Sequence, residues 1–361
     1  FWVTGVYADP SYPPIGSTYL VNPGSIVSYD LHCGAFHPTD PNHAMIGGRN
    51  KMLRWNGTAL VSLVTGAHTN FIGAGWRPDG SYALFVGDTI ENWDGTYLTR
   101  VVPAYWQTSP QGPVTGYRDV AWKPDGSYAL IVGYQGSPTL ATVWKYDGST
   151  LIYLYNAGNS EFDTVAWKPD GSYALIAGTS GALYKYDGVS FTSISTGTSE
   201  QLWKMSWKPD GSYALIVGGG PTAGKAWKYD GASVTEVSSG LNYYFQYVAW
   251  KPGAGWALVP CYDNGLIYNF TGAAFELLYN GSSTLGGVAL RRAFWRSDGG
   301  LAFVVGEVGT VVKYEGSVFT PLSPVSFVTR EILYGSAWKP DGSYALIVGG
   351  SQRNGPAGLN I

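Results

Sequence analysis

A twelve-residue string, WKPDGSYALIVG, begins at Trp122, Trp207 and Trp338, and returns with one change, alanine for valine, at Trp167. Looser copies begin at Phe36, Trp76, Trp250 and Trp295, so the eight starts lie 40, 46, 45, 40, 43, 45 and 43 residues apart. Self-similarity at a fixed period settles the architecture before local propensity does, and this period is the length of one four-stranded propeller blade.

Each unit carries its own punctuation. An apolar run ends at Trp122 and meets Pro124-Asp125-Gly126, after which Tyr128 to Val132 runs apolar into Gly133. Proline sets the first corner of a turn and glycine tolerates the positive φ that closes it, so two strands are joined there by a hairpin. Further on, Val143 to Tyr146 alternates apolar with polar, and Asp147-Gly148 turns the chain into Leu151 to Tyr155. The second corner recurs at Asn56-Gly57, Asp94-Gly95, Asp187-Gly188 and Asp230-Gly231. The predicted fold is therefore all-β, a β-propeller of four-stranded antiparallel blades, with units starting near residues 28, 69, 115, 160, 200, 243, 287 and 331 of one domain, 1–361. Eight blades are favoured over seven. The last unit lacks its outermost strand, and the amino-terminal segment 1–8, with Phe1, Trp2, Val3, Val6 and Tyr7, is expected to supply it. The ring then closes within the chain or by strand exchange with a neighbour.

The string Ala-Trp-Lys-Pro-Asp-Gly-Ser-Tyr-Ala-Leu at Ala121, Ala166 and Ala337 resembles the Pro-Asp-Gly repeat of TolB-like, WD-like propellers. The second hairpin, Trp/Tyr-Lys-Tyr-Asp-Gly, looks closer to secreted propellers with kelch-like or sialidase-like blades. The resemblance implies a propeller fold and brings no catalytic residue with it.

Composition narrows the function classes. With 15% aromatic and 13% charged residues and a net charge of -3, the chain has no cationic footprint for nucleic acid. No run of eighteen apolar residues is present, so no membrane span is expected. Three sequons, at Asn56, Asn269 and Asn280, are candidate glycosylation sites. Together with abundant Tyr, Gly, Ser and Thr, and with an opening at Phe1 without methionine, they point to an extracellular or cell-surface protein. Cys33 and Cys261 fall in units far apart on the ring and read as buried thiols.

Candidate chemistry is sparse. His37, Arg77, Lys123, Lys168, Lys208, Lys251, Arg296 and Lys339 occupy one repeat position and make a ring of cations, but an Asp two residues on in most units neutralises them. His37 and His43 flank one hairpin turn and come nearest to a metal pair, without standard ligand spacing. Asp88, Glu91 and Asp94 are acidic candidates for calcium that lack the EF-hand spacing. No metal or cofactor is assigned.

What varies between units points to binding. Connections between the second and third strands, and between blades, emerge on the rim opposite the fixed turns, where propellers usually bind partners. Tyr105, Trp106, Tyr243, Tyr244 and Phe245 are the aromatic candidates for contact there. The expected function is a noncatalytic extracellular scaffold for protein association or self-assembly, in a filament or array, with itself or other surface proteins as partners. A glycan-binding lectin using the loop aromatics is the alternative, and a propeller glycoside hydrolase or lyase stands third.

Overall fold

The computed structural model describes residues 31–40, 43–48, 51–55, 60–63, 70–95, 98–101, 114–136, 139–158, 160–220, 223–237, 243–262, 264–295, 299–306, 311–321, 332–338 and 345–350. These form seven four-stranded antiparallel sheets and one two-stranded sheet, each a meander of strands consecutive in the chain. The third sheet shows the plan: Val114–Trp122, Ala129–Gln135, Leu140–Tyr146 and Leu151–Ala157. The fourth is shorter, with Phe162–Trp167, Ala174–Gly178, Leu183–Tyr186 and Phe191–Ser193. Among the described residues the helical content is a three-residue 3-10 turn at Thr179–Gly181.

Burial orders the strands radially. Second strands such as Ala83–Gly87 and Ala174–Gly178 are buried at every position, because sheets pack on both faces. Each fully buried Leu, Ile or Val there contributes about 1.5–3 kcal/mol. Fourth strands are mostly exposed and form the outside. First strands pack on the first strands of neighbouring sheets and so line the axis. Ile332–Trp338 of the last sheet packs on both Leu290–Trp295 and Leu31–Phe36, which brings the two ends of the series together. The closing segment expected from Phe1, Trp2, Val3, Val6 and Tyr7 lies outside the described residues.

The repeated string builds the seams between sheets. In the Pro-Asp-Gly turn, Asp125 Oδ1 accepts from the Ser127 N–H (2.9 Å) and Oγ (2.6 Å), and Gly126 sits at φ 71°. The tyrosine that follows, Tyr128, meets the next sheet's Trp167 edge to face with centroids 5.4 Å apart. Tyr82–Trp122, Tyr173–Trp207 and Tyr213–Trp250 repeat that contact at 5.2, 5.5 and 5.4 Å. The indole N–H of Trp167 reaches back to the Ala121 carbonyl at 3.2 Å, and Trp122, Trp250 and Trp295 do the same to Gly75, Ser206 and Ala249. The string is thus an adhesive between blades as well as a turn. The expected neutralisation of the cation ring is present: Arg77–Asp79, Lys123–Asp125, Lys168–Asp170 and Lys208–Asp210 pair at 3.0, 2.6, 2.5 and 2.5 Å.

Candidate functional site at the variable rim

Every well-described first strand except the sixth sheet's carries the same irregularity. The register slips between the fifth and third residues before the repeat aromatic, as at Phe71/Gly73, Phe162/Thr164 and Leu202/Lys204. A bulge of this kind re-aims side chains and recurs beside binding sites. It lies at the strand end away from the Pro-Asp-Gly turn, on the rim with the variable connections.

In the third to fifth sheets these bulges carry Arg118, Asp119, Asp163, Trp203 and Lys204, and the four charged ones converge at the axial mouth. Lys204 Nζ lies 3.1 Å from Asp119 Oδ2, a link from the fifth sheet to the third that passes over the fourth. The Val165 N–H also points to that oxygen, at 3.4 Å. Arg118 pairs with Glu161 at 3.0 Å and lies over the Tyr134 ring at 4.8 Å. Asp163 is 8% exposed and accepts from Gln201 Nε2 at 2.9 Å. Burial holds its carboxyl up at about 6, against the opposing pull of Gln201 and the nearby cations. Beside these charges stands an aromatic corner. Trp203 donates to the Gly219 carbonyl (3.1 Å) and meets Tyr244 edge to face at 5.9 Å, and Tyr244 meets Tyr262 at 5.4 Å.

The sequence-based candidates divide accordingly. Tyr244 belongs to this corner. Tyr243 is half-buried against Tyr268, with centroids 5.8 Å apart, and its carbonyl presses on Gly224. Phe245 is corrected: it is fully buried and stacks on Phe275 at 5.0 Å, because it holds the core position that Phe162 and Leu202 hold in other sheets. Tyr105 and Trp106 lie outside the described residues, as does Asn56. Asn269 is in the third strand Leu266–Phe270 with its Oδ1 buried, so the middle of a sheet occupies the place a glycan would need. Asn280 is exposed, and its Oδ1 accepts from Ser282 N at 3.1 Å and Oγ at 2.7 Å.

The two histidines do come together, with stacked rings 5.5 Å apart, but in structural roles. His37 takes the repeat's cation position and His43 its tyrosine position, and both pack on Trp76, at 4.6 and 5.0 Å. His37 Nδ1 accepts from the Asp40 N–H and its Nε2 engages the Gly80 carbonyl, while His43 Nε2 accepts from Trp93 Nε1. Burial, reinforced by Arg54, lowers the His43 imidazole to about 4. Among the described residues no cluster of three His, Cys, Asp or Glu side chains suited to a metal occurs. The calcium candidates also separate: Asp88 caps the Asn70 N–H, and Glu91 is buried beside Arg100 at 3.4 Å. Cys261 is a buried thiol.

Sequence reasoning missed Arg118, Asp119, Asp163, Trp203 and Lys204. The signal was available: four charged residues and one tryptophan three or four places before the repeat aromatic, at the positions where RDVAW, DTVAW and WKMSW differ.

A family model for the eukaryotic translation initiation factor eIF2A matches residues 103–246, a stretch that contains all five. No curated protein matches the chain. Among solved structures, Sqt1 from Chaetomium thermophilum aligns with a TM-score of 0.69 at 15% identity, over 90% of this chain and 93% of that one. The same protein bound to the N-terminus of ribosomal protein L10 aligns with a TM-score of 0.69 at 15% identity, over 89% and 94%. The C-terminal WD40 domain of Sif2 gives 0.65 at 14% identity, over 90% and 94%. A translation factor and a ribosomal-protein binder are intracellular. The family matched and the partner of Sqt1 both belong to translation, and the expectation of an extracellular or cell-surface protein is overturned on that finding. The TolB-like likeness rests on the Pro-Asp-Gly string alone. The fold this chain shares with these structures is the WD40-like β-propeller.

Proposed function

We propose that this propeller is a noncatalytic scaffold that holds an extended segment of a partner protein across the axial mouth of its variable rim. The observation that carries the reading is the convergence of Arg118, Asp119, Glu161, Asp163 and Lys204 from three sheets next to the aromatic corner of Trp203, Tyr244 and Tyr262. Aromatic and arginine side chains beside oriented charges are the composition of a protein-binding hot spot. Rigid first strands set the groups, and variable connections surround them. Sqt1, which shares the fold, binds the N-terminus of ribosomal protein L10, which supports capture of a protein segment as a use of this fold.

Selection of a displayed random peptide library on the full chain tests this. The expected result is a family of related binders whose affinity falls by at least about tenfold in Lys204→Glu and Trp203→Ala. Lys185→Ala, on the fixed-turn rim, leaves it unchanged. A library that yields no binder, or binders lost only in the Lys185 variant, overturns the reading.

A further inference from the structure

Outside the axial mouth, the variable rim holds a groove of about 710 Å³ where the third sheet meets the fourth. That volume falls within the roughly 300–1,000 Å³ of small-molecule sites. One side is the end of the third sheet's outer strand, Tyr155 to Gly158, and the other is the turn Thr179–Gly181 with the chain that leaves Phe191–Ser193. None of its lining residues belongs to the axial mouth, and none is among the loop aromatics that the sequence offered for glycan binding.

The lining contains no Asp, Glu, Lys, Arg or His, and side-chain hydroxyls dominate it. These hydroxyls divide into two sets. The threonines hold the wall together: Thr196 Oγ1 donates to the Gly181 carbonyl at 2.9 Å, Thr179 Oγ1 accepts from the Glu161 N–H at 2.8 Å, and Thr198 Oγ1 accepts from the Glu200 N–H at 3.1 Å. The serines are left open. Ser180 and Ser195 are exposed. Ser160 lines the same groove at 9% exposure, and its hydroxyl has no partner among the described residues. Buried hydroxyls are paired as a rule, so one left open at a cavity wall is a group that a ligand completes. The backbone of the wall, by contrast, is already engaged. Thr179, Gly181 and Ala182 donate their N–H groups to the carbonyls of Glu161, Glu200 and Thr179 at 3.0, 2.7 and 3.1 Å. A peptide strand laid there finds no free main-chain donor at these three residues, whereas a polyol needs only the hydroxyls.

We propose that this groove binds an uncharged saccharide. Each serine hydroxyl both donates and accepts, as each sugar hydroxyl does, so the two sets close a network without a fixed polarity. Tyr155 and Tyr184, with centroids 5.3 Å apart, supply apolar surface for the C–H faces of a sugar ring. Selectivity follows from the missing charge: a sialylated or sulfated sugar lays its anion against a lining that has no cation to receive it. This inference does not depend on the peptide reading of the axial mouth, because the two sites share no residue.

Two experiments on the full chain decide it: a printed array of neutral, sialylated and sulfated glycans, and calorimetry with free maltose, cellobiose and lactose. Binding is expected to be confined to neutral members, and the calorimetry tells a free sugar from the end of a longer glycan. Ser160→Ala should weaken the array hits about two- to tenfold while leaving the melting temperature unchanged, since the hydroxyl it removes pairs with nothing in the free protein. Ser195→Trp, at an exposed position, should fill the groove and weaken them at least about tenfold. Lys204→Glu, which alters the axial mouth, should leave them as they are. An array without a hit, hits carried by acidic glycans, or hits indifferent to both serine variants overturns the proposal. So does a selected peptide whose binding Ser195→Trp blocks, because the groove then belongs to a protein partner.

Discussion

Asp163 illustrates what a single side chain can report. Its carboxyl is buried beside Gln201, with Arg118, Glu161 and Lys204 around it, and keeps its proton up to about pH 6 where an unfolded aspartic acid releases it near 3.8. Between those values the folded state binds more protons than the unfolded one, so Asp163 makes stability fall as pH rises through that window. His43 works the other way, since burial lowers it from 6.5 to about 4 and the unfolded state is the one that takes up the proton. In the wild type the two slopes oppose each other. Asp163→Asn removes one of them, and is expected to raise stability at pH 7 by about 2 kcal/mol. It also exposes a stability that climbs steadily from pH 4 to pH 6.5, which thermal melts across that range would read. A variant with the wild-type profile would show that Asp163 is charged in the folded protein at acid pH.

At the scale of the element, the repeat's final glycine and its turn glycines do different work. A Cβ on Gly178 would stand 1.8 Å from the Glu161 carbonyl oxygen, and Gly87, Gly133 and Gly218 are crowded by Asn70, Gly116 and Gln201 in the same way. The bulge in each first strand pushes that carbonyl across the end of the second strand. Gly188, by contrast, has room for a Cβ but sits at φ 100° in the Asp-Gly corner. Gly178→Ala is therefore expected to destabilise by about 3 kcal/mol or more, through a backbone that must move. Gly188→Ala should cost roughly 1–2 kcal/mol through conformation alone. Urea unfolding of the pair separates the two mechanisms, and equal losses would contradict the steric account. The turn glycines were legible in the sequence because Pro-Asp-Gly and Asp-Gly announce their geometry. The reason for the last glycine of ALIVG was not, because the bulge that demands it is a slip in pairing, invisible to a pattern of apolar and polar residues. The same slip hid the axial mouth, where Asp119 and Lys204 meet although 85 residues apart. Phe245 failed in the opposite sense: an aromatic in a variable stretch looked like surface, while its place five residues before Trp250 marked it as core.

For the molecule as a whole, period and turn chemistry were enough to anticipate antiparallel four-stranded sheets succeeding one another around an axis, and they said little about where in the cell the protein works. Location was inferred from sequons and composition, which carry no packing consequence, and that inference did not survive. For the ring itself, we propose a count of eight, with Phe1 to Ala8 completing the last sheet. Deleting residues 1–8 is then expected to lower the melting temperature by about 5 °C, as losing a paired strand should. An unchanged melt would detach that segment from the ring. The seams have a consequence for how such a protein changes over generations. Four successive joins, from Tyr82–Trp122 to Tyr213–Trp250, use the same tyrosine and tryptophan, so those joins look much like one another. A gene that gained or lost one unit by unequal recombination would still encode matching surfaces at the new junction. Ring size is then free to drift, until the groups at the axial mouth, which are not interchangeable, fall out of alignment.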